Sequence, residues 1–173
     1  MKTDFYIKTI VITAIVLACI YFGGLSIKHI SQESQFKKFT AIVEYVVDGD
    51  TVKLSDQRII RLVGIDSPET NHPDQPIQRF GKEAKEYLKA RIEGKTCVFE
   101  YETTNEYDVY GRTLAMIFLN DENINAEMIK QGLAYAYVKD PNSRTKNFPV
   151  LENIAKKIRR GLWVNEAGGQ VKK

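Results

Sequence analysis

The chain is poor in the residues that staple or ligate, with two cysteines, two histidines and one tryptophan among 173 residues. Cys19 lies inside an apolar N-terminal run and Cys97 stands alone in everything that follows, so that part can form no internal disulfide. A disulfide-stapled scaffold and a Cys/His zinc centre are both excluded. His72 has no histidine or cysteine beside it and reads as a loop residue. In Thr96-Cys97-Val98-Phe99-Glu100-Tyr101, the alternation puts Cys97, Phe99 and Tyr101 on one face of a strand. With no histidine adjacent in sequence, Cys97 reads as a buried thiol and not as a nucleophile. Internal repeats and low-complexity tracts are absent, and so is a strong excess of either charge. The formal net charge is +3 and the pI about 8.7. That leans towards anionic partners but falls short of an obligate nucleic-acid binder. With 43% hydrophobic and 27% charged residues, the chain suits one globular domain with an ordinary core.

One long hydrophobic run is present. No charged residue occurs from Thr9 to Ile27, and Lys8 and Lys28 bracket the segment. At 1.5 Å per helical residue it just spans a hydrocarbon core of roughly 30 Å. No convincing small-x-small site follows it, which favours an uncleaved signal anchor over a cleaved signal peptide. Val16-Leu17-Ala18-Cys19 loosely resembles a lipoprotein box, yet Ile20-Tyr21-Phe22 stay apolar where a lipidated end is polar. Lysines stand on both sides (Lys2 and Lys8 before; Lys28, Lys37 and Lys38 after), so flanking charge does not fix the orientation. The expected organisation is an anchor or signal over 1–28, a tether over 29–38, a folded domain over 39–165 and a polar tail over 166–173.

Within the domain, Phe39–Val47, Thr51–Leu54 and Ile59–Ile65 read as three strands of a meander joined by turns at Asp48-Gly49-Asp50 and Ser55-Asp56-Gln57. Helical periodicity follows over Gly81–Glu93, with Ala84, Tyr87, Leu88 and Ile92 on one face. Strands return at Thr96–Glu102 and Leu114–Leu119. Asn125–Gln131 reads as a short helix with Asn125 as N-cap and Gly132 as its stop. A last helix over Pro149–Arg159 is expected to bury Leu151, Ile154, Ala155 and Ile158. Five strands with three helices make an α+β domain, a small barrel with helices attached.

Three segments carry chemistry: Val47-Asp48-Gly49-Asp50-Thr51-Val52, Arg61 through Thr70, and Tyr107-Asp108-Val109-Tyr110-Gly111-Arg112. They supply acidic oxygens for a hard cation, a further carboxylate and two arginines. Phosphodiester cleavage needs this inventory: positive groups to neutralise phosphoryl oxygens, and a base to aim water. Asp50 closes a tight turn and Asp66 ends a strand, so their carboxylates could converge on one cation. Turn chemistry alone would explain Asp48 and Asp50; Asp66 and Glu69 weigh against so plain a reading.

Together with His72-Pro73, Gln131-Gly132-Leu133-Ala134 and Gly161-Leu162-Trp163, in this order and spacing, these segments closely resemble the staphylococcal nuclease, or thermonuclease, family from about Phe39 to Trp163. The resemblance implies a five-stranded OB-type barrel with three helices and calcium-dependent hydrolysis of DNA and RNA to 3′-phosphate ends. It implies Ca²⁺ held by Asp50, Asp66 and the backbone carbonyl of Ser67, with Asp48 behind them. Glu69 would be the general base or water positioner, Arg61 and Arg112 the phosphate clamp, and Tyr110 and Tyr137 nucleotide contacts. For Tyr137, a core aromatic is the competing reading. The chain departs from the family's pattern at Val109, Asp74 and Gln75, where the best-known member has lysines, which should thin its phosphate contacts. A monomer at the membrane with its domain outside the cytoplasm, or released by cleavage, fits the N-terminal run. The alternative is a tethered, non-catalytic OB-fold module that only binds nucleic acid, which would have no use for Asp50, Asp66, Glu69, Arg61 and Arg112 together.

Overall fold

A computed structural model describes residues 13–14, 17–18, 35–70, 78–139 and 141–164. The chain divides into two compact units, 1–36 and 37–173. In the first, Thr13, Ala14, Leu17 and Ala18 are helical; the rest of the expected Thr9–Ile27 anchor lies outside the described residues. Among the described residues no helix is long and apolar enough to cross a membrane.

The described residues of the second unit form the strands β1 (Phe36–Asp48), β2 (Thr51–Leu54), β3 (Ile59–Leu62), β4 (Ile65–Asp66), β5 (Thr96–Glu102), β6 (Thr113–Leu119), β7 (Glu122–Asn123) and β8 (Tyr135–Ala136). Three helices accompany them: α1 (Gly81–Ile92), α2 (Ile124–Lys130) and α3 (Phe148–Lys157), with a 3₁₀ turn at Gly161–Trp163. The main sheet runs β3-β2-β1-β5-β6-β7, and a further pairing of β3 with β6 joins its ends. Five strands therefore close into a barrel, as expected of an OB-type α+β fold. The closing ladder is parallel, Ile60 opposite Thr113 and Leu62 opposite Ala115.

Curvature comes from β1. Its register against β2 slips between Val43 and Tyr45 and again between Val46 and Asp48. Each slip is a bulge that shifts the inward–outward phase, so Val43 and Val46, three apart, are both fully buried. They meet Val52, Leu54, Ile60, Leu62, Phe99 and Ile117 in the barrel core. Cys97 is buried there too, and burial pushes its thiol up to about 11, which keeps it inert.

Several expected boundaries move. The third strand stops at Leu62, because Gly64 takes a left-handed conformation (φ 79°) and turns the chain into β4, which pairs with β8. A Cβ at Gly64 would sit 2.9 Å from both Phe148 and Thr145, so only glycine allows the turn to pack there. Asn125 does not cap α2. Asn123 does, accepting from the Ala126 N–H at 2.9 Å, while Asn125 points inward. On α3, Ala155 is buried and Leu151 partly so, but Ile154 and Ile158 are 50% and 53% exposed, contrary to the periodicity. The residues of α3 that are buried are Phe148 and Ala155, on the opposite side from Val150 and Ile154.

Helices α1 and α2 are joined by a charged fork. Arg91 Nε and Nη2 donate to the two Glu127 oxygens at 2.7 and 2.9 Å, and the Tyr87 hydroxyl donates to the same carboxylate. These donors, Arg91 first, hold the Glu127 carboxyl below its ordinary range although burial opposes them. A lowered carboxyl contributes stability above the usual glutamate range and loses it as pH falls through the folded value. Glu127→Gln should therefore cost about 1–3 kcal/mol at pH 7 and flatten the acid limb of the stability curve, read by urea unfolding at a series of pH values.

Candidate active site

The turn between β1 and β2 is where the acidic residues first meet. Asp48 Oδ1 accepts from the Asp50 N–H at 3.0 Å, closing the turn on itself. Gly49 between them has no room for a side chain: a Cβ would lie 2.7 Å from Ala84 of α1 and 2.8 Å from Ser67. The turn is thus wedged between α1 and the segment after β4.

Asp50 is only 5% exposed. Its Oδ2 accepts from the Ser67 N–H at 2.7 Å and faces Arg61 Nη2 at 3.0 Å; its Oδ1 accepts from the Thr51 hydroxyl at 3.1 Å. Arg61 leaves β3 beneath the Gly64 turn. Its Nη1 donates to the carbonyls of Leu62 and Ile65 at 2.9 and 2.8 Å, and its Nη2 also reaches Asp66 Oδ1 at 2.8 Å. One guanidinium nitrogen therefore joins Asp50 and Asp66. Asp66 is otherwise open to solvent, whereas Ser67 and Pro68 are buried and Glu69 is exposed. Glu69 is fixed through its backbone: its N–H donates to Gln78 Oε1 at 3.2 Å and its carbonyl accepts from the Gln78 N–H at 3.0 Å.

Negative charge is crowded here. Burial first, then the charge of Asp50, pushes the Asp48 carboxyl up to about 7, and Glu69 adds to the effect. Burial also raises Asp66, with Arg61 opposing and Asp50 reinforcing the rise. Among the described residues, Arg61 is the basic group that pairs with Asp50 and Asp66. Among the described residues no group of three or more histidine, cysteine, aspartate or glutamate side chains gathers as a metal centre. The available donors are two carboxylates and a backbone carbonyl, all hard oxygens. With the excess negative charge around them, they suit a hard cation and not a soft one.

Arg112 sits elsewhere on the rim. Asp108 organises its hairpin, accepting from the N–H groups of Tyr110 and Arg112, each at 2.9 Å, and from Arg112 Nε at 2.6 Å. Burial alone would raise the Asp108 carboxyl, but these donors hold it below its ordinary range. Arg61, Arg112 and Tyr137 share the lining of one open cleft of about 410 Å³, walled also by Lys139, Asn142 and Thr145. Asp50, Asp66 and Glu69 do not line that cleft; Arg61 links the two aspartates to it. Tyr137 is aimed by its N–H bond to the Gly64 carbonyl at 2.9 Å and is half exposed, so it is no core aromatic. Tyr110 is 81% exposed with the Arg112 guanidinium 5.4 Å above its ring, and Val109 is fully turned to solvent. His72, Asp74 and Gln75 lie outside the described residues.

Two residues support the site in ways the sequence reading did not assign. Asp108 had a visible signal, four residues before Arg112 in the same motif. Asn125 did not. Its side chain is completely buried, accepts from Ile117 N–H at 3.0 Å and donates to the Val63 carbonyl at 2.9 Å, pinning the Gly64 turn to β6. In sequence it is one more polar residue at a helix start.

Comparison with known proteins agrees with this geometry. The model of the staphylococcal nuclease homologue family matches residues 59–165. A thermonuclease of Staphylococcus hyicus is 34% identical over 153 residues, covering 82% of this chain and 90% of that protein. A thermonuclease of Staphylococcus intermedius is also 34% identical, over 76% of this chain and 84% of its own. The endonuclease YncB of Bacillus subtilis is 28% identical over 76% of this chain and 64% of its own. With the closed barrel, the Asp50–Arg61–Asp66 cluster and a family match over most of the domain, the chain belongs to the staphylococcal nuclease family, whose enzymes hydrolyse phosphodiester bonds.

Proposed function

We propose that the chain is a calcium-dependent phosphodiesterase that cleaves DNA and RNA outside the cytoplasm and leaves 3′-phosphate ends. The observation that carries this reading is Arg61 Nη2, held between Asp50 and Asp66 at the edge of the cleft that also presents Arg112. A module that only bound nucleic acid would gain nothing from burying Asp50 against that arginine.

Asp50, Asp66 and the Ser67 carbonyl would hold calcium, which when bound neutralises charge on the phosphoryl oxygens and offers a Lewis-acid contact. Arg61 and Arg112 bind the phosphate, and their positive charge stabilises the charge that builds as a fifth oxygen bonds to phosphorus. Glu69, exposed on a loop tied down by Gln78, accepts a hydrogen bond from the attacking water and takes its proton. Asp108 holds the Arg112 side chain extended towards the cleft, and Tyr137 and Tyr110 offer faces to the bases.

Export is supported by the uncharged Thr9–Ile27 run and by the small charge of the calcium ligand set. Few ligand charges imply a dissociation constant of about 10⁻⁴ to 10⁻³ M, useful only where calcium is millimolar. The domain would then be tethered by that run or released by cleavage. It acts as a monomer.

Glu69→Gln should leave the fold intact and lower the cleavage rate by roughly two to four decades, the scale of a lost general base. A DNA cleavage assay titrated with chelator and then calcium tests both parts. Equal turnover of variant and parent, or full activity with magnesium alone, would overturn the reading.

Asp108→Asn should lower kcat by about tenfold or more by releasing Arg112, with little change at Arg160→Lys as a surface control. Finally, protease added to intact cells should digest the tethered domain, or the medium should contain it. A domain protected until the membrane is broken would refute the extracytoplasmic site.

A further inference from the structure

Helix α3 carries an apolar stripe that is half exposed and lies outside the hydrophobic core. Val150, Ile154 and Ile158, the last being the residue that ends the helix, are 56%, 50% and 53% exposed and stand four apart. At 3.6 residues per turn they lie one above the other. None joins the core, and no α3 residue lines the substrate cleft.

The segment that carries the stripe is rich in positive charge. From Pro141 to Val164 the chain has Arg144, Lys146, Lys156, Lys157, Arg159 and Arg160 but only one acidic residue, Glu152. That carboxylate is already engaged, by Lys156 Nζ at 2.7 Å and the Ala136 N–H at 3.1 Å. Lys146, Lys157, Arg159 and Arg160 are exposed. Lys157 falls within about 20° of Val150 around the helix axis, on the same outward side.

We propose that α3 is a membrane-surface contact that lies against an anionic phospholipid bilayer, with Val150, Ile154 and Ile158 entering the headgroup–acyl boundary and the neighbouring lysines and arginines meeting lipid phosphates. An exposed aliphatic stripe beside a basic face has the chemistry of an interfacial helix. Nucleic acid would match the positive charge but has no use for three branched aliphatic side chains, because bases stack on aromatic ones. The surface is independent of the nuclease chemistry and does not depend on whether the Thr9–Ile27 run is retained.

The test is hydrogen exchange of the backbone amides of residues 150–158 in the full chain. Vesicles of phosphatidylcholine alone are compared with vesicles in which a quarter of the lipid is phosphatidylglycerol. The N-terminal apolar run enters both kinds alike, so the difference reports on α3. Exchange should slow by about threefold or more on the anionic vesicles only, and high salt should weaken the effect. Val150→Ser/Ile154→Ser should abolish the protection, and Lys146→Glu/Lys157→Glu should remove the preference for anionic lipid, while both variants cleave DNA in solution like the parent. Were the serine variant to lose activity, the charge variant alone would decide. Equal exchange on the two vesicle types would overturn the proposal. So would protection given by duplex DNA without vesicles, which would mark a nucleic-acid track, or protection that rises with protein concentration in plain buffer, which would mark contact with a second copy.

Discussion

The guanidinium of Arg61 is the interaction on which the rest of the site depends. It meets two carboxylates and two carbonyls within 3.0 Å, drawn from three parts of the same corner. Asp50 comes from the first turn, Leu62 from the end of β3, and Ile65 and Asp66 from the short strand that follows. A buried carboxylate without a partner costs several kcal/mol, so the corner is stable only when all these pieces are in place. The same group that satisfies Asp50 also faces the cleft. Structure and chemistry here share one side chain, which explains why the corner is built from so few residues and why Gly49 and Gly64 must be small.

Two different kinds of support hold the two arginines. Arg61 is fixed by burial and by carbonyls, with 15% of its side chain exposed, whereas Arg112 is fixed by the single carboxylate of Asp108 in a solvent-facing hairpin. Tyr110 and Val109 project from that hairpin into water. The rim is therefore the adaptable half of the site, and the corner behind it the rigid half.

Much of this was legible in the sequence because the motifs are local. Asp48 to Asp50 read as a turn, the α1 face was periodic, and the carboxylates and arginines sat in short ordered segments. Legibility failed wherever a tertiary contact overrode local pattern. The bulges in β1 place Val43 and Val46 on the same side, which simple alternation forbids. Asn123 was chosen over Asn125 as cap because Asn125 had a better partner set across the barrel, in Ile117 and Val63. Ile154 and Ile158 looked like core residues because apolar periodicity records amphipathicity without saying which stripe finds a partner.

The parallel ladder of β3 and β6 joins residues about fifty positions apart and brings the Arg112 hairpin to the edge where Arg61 already stands. Everything from Asp48 to Glu69 can assemble around nearby chain, but the second arginine arrives only when the barrel shuts. If Arg61 and Arg112 form the phosphate clamp proposed above, a chain still being synthesised carries only half of it. Closure of the barrel would then be the event that arms the enzyme, and nucleic acid around the unfinished chain would be spared until it is complete.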